Sequence, residues 1–203
     1  MIIKQLGNPK LTRFARLISR VFGPLTIVPL VSIYILIQHT GLSNEGKLPL
    51  LLTLTFSSFL IPALYLVTLF RRGLISDLDM TDRKERLTPF LVVLVSQWVG
   101  VLVAQLFNPT RLFSALIVLT TIVLSIEVVV TIKEKVSLHA SGVMILFFVV
   151  NAATEWRHVW LLLFVPLVCW ARWYLRKHTV RQLVLGIAIP TVVFLTGFAC
   201  MLE

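Results

Sequence analysis

Two histidines and a set of arginines are the residues of this chain whose types and spacing can do chemistry. His178 stands six residues after Arg172 in the stretch 170–182, which also holds Arg176, Lys177 and Arg181 between two apolar runs. These cations are too costly to leave in hydrocarbon, so the chain must surface here. A basic loop of this kind commonly does no more than set membrane orientation. A histidine among the cations adds a sharper reading, a phosphate site with His178 as the reacting group. Phosphoryl transfer needs cations around the non-bridging oxygens, a nucleophile, and a proton donor for the leaving oxygen. His178 and His139 can divide the last two tasks, because imidazole titrates near neutrality. His178 falls at the start of the last apolar run, where the positive end of a helix dipole favours the neutral ring that can attack phosphorus. Gln182, four residues on, is placed to orient that ring through its amide oxygen. Ser137 caps the helix that carries His139, and the free amide hydrogens there form an anion site.

These residues need a scaffold, and composition says which kind. The 203 residues are 58% hydrophobic and only 14% charged, with a mean hydropathy of +0.93, whereas soluble domains carry about a quarter charged residues. An all-α, polytopic integral membrane helical bundle is expected. The net charge of +10 then speaks for orientation and anionic headgroups rather than nucleic acid. Cys169 and Cys200 both lie in apolar runs and read as small hydrophobes, not a disulfide framework. About seven apolar segments are long enough to consider as spans: 21–38, 48–70, 89–107, 112–132, a shorter one ending near Ala153, 159–174 and 180–200. Pro62 predicts a kink in the second, and Asn108-Pro109-Thr110 a tight turn. Trp156, Trp160, Trp170 and Trp173 suit an interfacial belt. Residues 1–20, with Leu11, Phe14, Leu17 and Ile18 at helical spacing among cations, read as a basic interfacial arm. Residues 21–203 form a single transmembrane domain.

Seven spans would place the segments 1–20, 71–88, 133–139 and 172–181 on one side. They hold five, five, two and four Lys and Arg residues, sixteen of the nineteen. By the positive-inside rule that side is cytoplasmic, the inner membrane of a bacterial cell being the expected location. Three polar clusters thereby share a side: Arg83, Lys84 and Arg86; Ser137 and His139; Arg172 and His178. His39 and His158 fall on the other and read as ordinary loop residues. Glu127, inside the fourth span, is either functional or paired with a basic neighbour.

Taken together the motifs resemble the membrane branch of the type 2 phosphatidic acid phosphatases. The third motif of that family is Ser-Arg, five residues, His, three residues, Asp; here Ala171-Arg172, five residues, His178, three residues, Gln182 matches the Arg and the His. The second, Pro-Ser-Gly-His, is met by Val136-Ser137-Leu138-His139. The first, Lys, six residues, Arg-Pro, is met loosely by Arg83-Lys84-Glu85-Arg86 with Pro89 beyond. The resemblance covers roughly 71–186. It implies that His178 takes the phosphoryl group as a phosphohistidine and that His139 protonates the leaving alkoxide. Arg172, Arg86 and Lys84 or Arg83 would hold the phosphate of a lipid substrate, with no metal or other cofactor. Gln182 in place of Asp removes the carboxylate that orients the nucleophile, and Leu138 in place of Gly narrows the backbone approach to phosphate.

Two other classes compete. Asp77, Asp79 and Asp82 look somewhat like the first acidic motif of membrane prenyltransferases, where carboxylates hold a magnesium-bound diphosphate; the second acidic cluster of those enzymes has no counterpart here. A non-catalytic lipid-phosphate binder or transporter on the same scaffold would bind without releasing phosphate.

Overall fold

The computed structural model describes residues 8–77, 80, 82 and 85–202. Arg83, Lys84 and Asp79 lie outside the described residues, as do the first seven residues of the basic arm. Among the described residues the fold is helical without a strand. Four helices are long and apolar enough to cross a membrane, Asn44–Arg71, Leu87–Gln105, Arg111–Thr131 and Val180–Met201, and Leu138–Ala153 and Val159–Tyr174 are shorter apolar helices. The first expected span is the helix Pro24–His39, whose sixteen residues rise about 24 Å, short of the roughly 30 Å hydrocarbon core.

Helix α1 (Pro9–Val21) starts where Asn8 accepts from the Lys10 amide and proline takes the first position. It leaves Leu11, Phe14, Leu17 and Val21 exposed and buries a stripe of Thr12, Ala15 and Ser19, spaced to share one face. Small residues let it lie close on α8 (Phe164–Tyr174), with Phe14 against Trp170 at 5.9 Å. Gly23 and Pro24 end α1 and begin α2 (Pro24–His39).

The second span is one continuous rod made of α3 (Asn44–Thr55), a π-helical turn at Phe56–Leu60, and α4 (Ile61–Arg71). Pro62 has no amide hydrogen for the carbonyl four residues back, and the chain widens into the π turn just before it. That turn packs on α5 (Leu87–Gln105) at Gly100, where an added Cβ would stand 2.0 Å from Ser57 Oγ. Asn108, at φ 47, closes the turn into α6 (Arg111–Thr131).

Helix α7 (Leu138–Ala153) is the central post, buried along most of its length and packed against α2, α8 and α9 (Val180–Leu202). Its Phe148 stacks on Phe194 of α9 at 5.2 Å, inside a core that includes Phe113, Leu116 and Val123 of α6. At the other end of the crossing, an added Cβ on Gly186 would stand 2.6 Å from the Ser137 carbonyl oxygen. Glycine is what lets the start of α9 press against the start of α7, and that contact sets where the two histidines lie.

Candidate functional site

The interval between Arg172 and His178 is a helix-ending turn. Lys177 N–H donates to the Arg172 carbonyl at 3.0 Å and Arg176 N–H to the Trp173 carbonyl at 2.8 Å. Arg176 between them adopts φ 54. These are the two bonds and the left-handed residue of a Schellman motif. The turn reverses the chain directly after α8, so Arg172 from the last helical turn and His178 from the loop face the same space. Thr179 then opens α9. Its hydroxyl accepts from Gln182 N–H at 3.4 Å, and the Gln182 amide oxygen accepts from Thr179 N–H at 3.3 Å. That reciprocal pair is a capping box.

The capping box corrects the expected role of Gln182. Its oxygen is committed to the Thr179 amide, and its nitrogen donates to Glu134 Oε1 at 3.3 Å, so it does not orient His178. The Thr-x-x-Gln pattern ahead of an apolar run was the available sequence signal. Ser137 serves as the expected cap of α7, accepting from Ala140 N–H at 3.5 Å. Fully buried, with its amide donating to the Gln182 carbonyl, it does not border the cavity described below.

His139, Arg172, His178 and Arg86 do come together. All four line one cavity of about 540 Å³, and each is at most 6% exposed. Arg172 Nη1 donates to Ser19 Oγ at 2.7 Å, and the same oxygen lies 3.5 Å from His139 Nε2. Arg86 donates from Nε to the Met80 carbonyl at 2.7 Å and from Nη1 to the Val136 carbonyl at 2.9 Å. Its guanidinium carbon sits 5.8 Å from the Phe90 ring centre. Planar, multiply anchored guanidinium groups of this kind suit phosphate oxygens. Glu127, 2% exposed, lines the same cavity within electrostatic reach of Arg86.

Burial, then the charges of Arg172, Lys135, Arg86 and His139, hold the His178 pKa far below its usual 6.5. The ring is therefore neutral across the physiological range, as a nucleophile must be. Its Nδ1 is buried with no hydrogen-bond partner among the described residues. Lys135, whose Nζ donates to the Lys177 carbonyl at 3.0 Å, has its own pKa lowered to about 8 by burial and by Arg86, Arg172 and Lys177.

Ser19, Arg16, Arg20, Lys135 and Lys177 belong to this neighbourhood although sequence reading did not select them. Arg16 and Arg20 border the cavity from α1; in sequence they were part of an arm. Asp77 lies 3.7 Å from Lys177 Nζ. The cavity continues from its charged end into an apolar interior between α2, α5, α6 and α7, past Val93, Thr120, Leu124 and Ile145. Compared with protein-family models, curated proteins and solved structures, the chain matches none.

Proposed function

We propose that this chain is an integral membrane phosphatase that hydrolyses a phosphorylated lipid, monoester or diphosphate, through a phosphohistidine at His178. The observation that carries the reading is the joining of a neutral, buried histidine, a second histidine and two anchored arginines at the charged end of one apolar cavity. In the first step a ring nitrogen of His178 attacks phosphorus while Arg172 and Arg86 take up the charge on the non-bridging oxygens. The bond from phosphorus to the lipid oxygen breaks, and His139 in its protonated form gives that oxygen its proton. In the second step neutral His139 takes a proton from water, whose oxygen attacks phosphorus, freeing inorganic phosphate and restoring both rings. Lys135 and Lys177 add to the positive field that draws the headgroup in.

The setting proposed with it is a bundle crossing the bilayer about seven times, in the manner of the membrane type 2 phosphatidic acid phosphatases. Its N-terminus and site lie on the cytoplasmic side of a bacterial inner membrane. The four long apolar helices support this, as do outward residues such as Val95, Val99 and Leu102 on α5. The exposed Leu11, Phe14 and Leu17 of α1 suit the headgroup plane, where Arg16 and Arg20 meet phosphates.

A non-catalytic lipid-phosphate binder is the second reading, and the unpartnered His178 Nδ1 is the observation that favours it. Phosphate release from a panel of lipid phosphates by purified wild type and His178→Ala, with and without a strong chelator, separates the readings. The phosphatase releases phosphate in chelator and loses it on substitution. A binder retains lipid but releases none in either form. Turnover that demands magnesium returns attention to Asp77, Asp79 and Asp82 and a prenyltransferase.

A further inference from the structure

Four glycines sit where helices pack, and three of them are explained by close approach. Added Cβ atoms at Gly100, Gly186 and Gly197 would come within 2.6 Å of a neighbouring helix. Gly142 is different. It is buried in the second turn of α7, yet a Cβ there would meet nothing within 4 Å. Glycine in a helix interior is less favourable than alanine, and here no neighbouring atom requires it. What lies beside it is space. Gly142 borders the main cavity and also a second cavity of about 70 Å³ deeper in the bundle. Ser58, Gln97, Thr120 and Ile145 are likewise shared by both, so the two meet at this level. The deeper one is floored by Ile35, Leu54, Phe113 and Leu116. Gly142 also stands three residues below His139, on the same face of α7.

We infer that Gly142 keeps open a passage through which the end of a long hydrocarbon chain runs into the bundle, making it a residue that sets the accepted chain length. The occupant is the single tail of the lipid whose phosphate lies at His178; for the headgroup the inference rests on the proposed function, for the tail on the two cavities alone. A chain threaded between helices is measured by the depth of its tunnel, whereas a tail left in the bilayer is not.

The test uses the full-length protein in detergent micelles and three alkyl monophosphates that differ only in length: butyl, dodecyl and octadecyl phosphate. Gly142→Ala places a methyl in open space and leaves all three unchanged. Gly142→Phe closes the passage. It raises KM for octadecyl phosphate at least tenfold over wild type and leaves kcat/KM for butyl phosphate within twofold. Thr120→Phe closes it from the opposite wall and gives the same pattern should Gly142→Phe fail to fold. Displacement of a fluorescent long-chain alkyl phosphate by octadecyl phosphate reports the tail without turnover. If wild type releases no phosphate but binds octadecyl phosphate at least tenfold more tightly than Gly142→Phe, the phosphatase reading falls and the passage stands. Equal effects of the folded Phe variants on butyl and octadecyl phosphate, or none on either, overturn the passage.

Discussion

Arg172 Nη1 and Ser19 Oγ are 2.7 Å apart, a buried, charge-assisted bond that ties the last turn of α8 to the last turn of α1. The serine oxygen has a second lone pair, and His139 Nε2 lies 3.5 Å from it, where the protonated ring can donate to it. One hydroxyl thus touches both the arginine proposed to hold phosphate and the proposed proton donor. The amphipathic arm borders the cavity through Arg16, Ser19 and Arg20.

Ser19→Ala removes a hydrogen bond to a charged group, a loss of about 1.5–3 kcal/mol where the charge is buried. Phosphate release should fall about tenfold to a hundredfold in kcat/KM, while Ser19→Thr, which keeps the hydroxyl, recovers part of it. A pH–rate profile makes the test specific. A positioning role for His139 shifts the limb assigned to the proton donor, and an unmoved profile with unchanged kcat/KM refutes it.

His178 gives a stability signature with a definite sign. Its folded-state pKa lies below the usual 6.5, so under that value the unfolded chain binds a proton that the folded chain refuses. Stability is unaffected by this group above about pH 6.5 and falls as the pH drops below it, by at most about 1.4 kcal/mol per pH unit. Thermal unfolding from pH 7.5 to pH 5 should show the decline, and His178→Asn should flatten it. Inorganic phosphate or vanadate should raise the midpoint, by adding negative charge beside Arg86 and Arg172.

Gln182 offers a test that separates cap from catalyst. Gln182→Ala breaks half the capping box and the bond to Glu134, costing about 1 kcal/mol of stability. Measured well below the unfolding transition, kcat should stay within twofold of wild type. A fall of a hundredfold without unfolding would show that the amide reaches His178 during turnover.

Gly186→Ala tests the crossing that joins the two histidines. The new methyl meets the Ser137 carbonyl at 2.6 Å, and overpacking of this kind costs about 1–3 kcal/mol. Because the displaced parts carry His139 and His178, phosphate release should drop further than the stability loss explains. Full activity in a destabilised variant would show that the spacing tolerates the shift.

Much of this was legible along the chain because the signals are local. Runs of apolar residues, a proline at position 62, and turn residues at 108–110 act through neighbours in sequence and gave helices within a few residues of those found. The turn after Arg172 is local too, since six residues closed by two backbone bonds fix where His178 can point. The capping box at Thr179 and Gln182 was equally local, but the glutamine was assigned to the ring instead of the backbone. Hydrophobic segment counting alone also made a full-length span of 21–38, where proline after Gly23 begins a shorter helix.

By itself, then, the sequence determined a helical chain with apolar runs long enough to cross a membrane, the grouping of its cations, and the candidacy of His139, Arg86, Arg172 and His178, all read from composition and short-range spacing. Only tertiary packing decided that Ser19, Arg16 and Arg20 border the cavity, that Gln182 turns away from it, and that space opens beside Gly142. Those outcomes depend on which helix faces touch. The missing side chains at Gly186 and Gly100 and the small stripe Thr12, Ala15, Ser19 set the distances between helices, and close approach between remote segments leaves no periodic trace in the chain that encodes it.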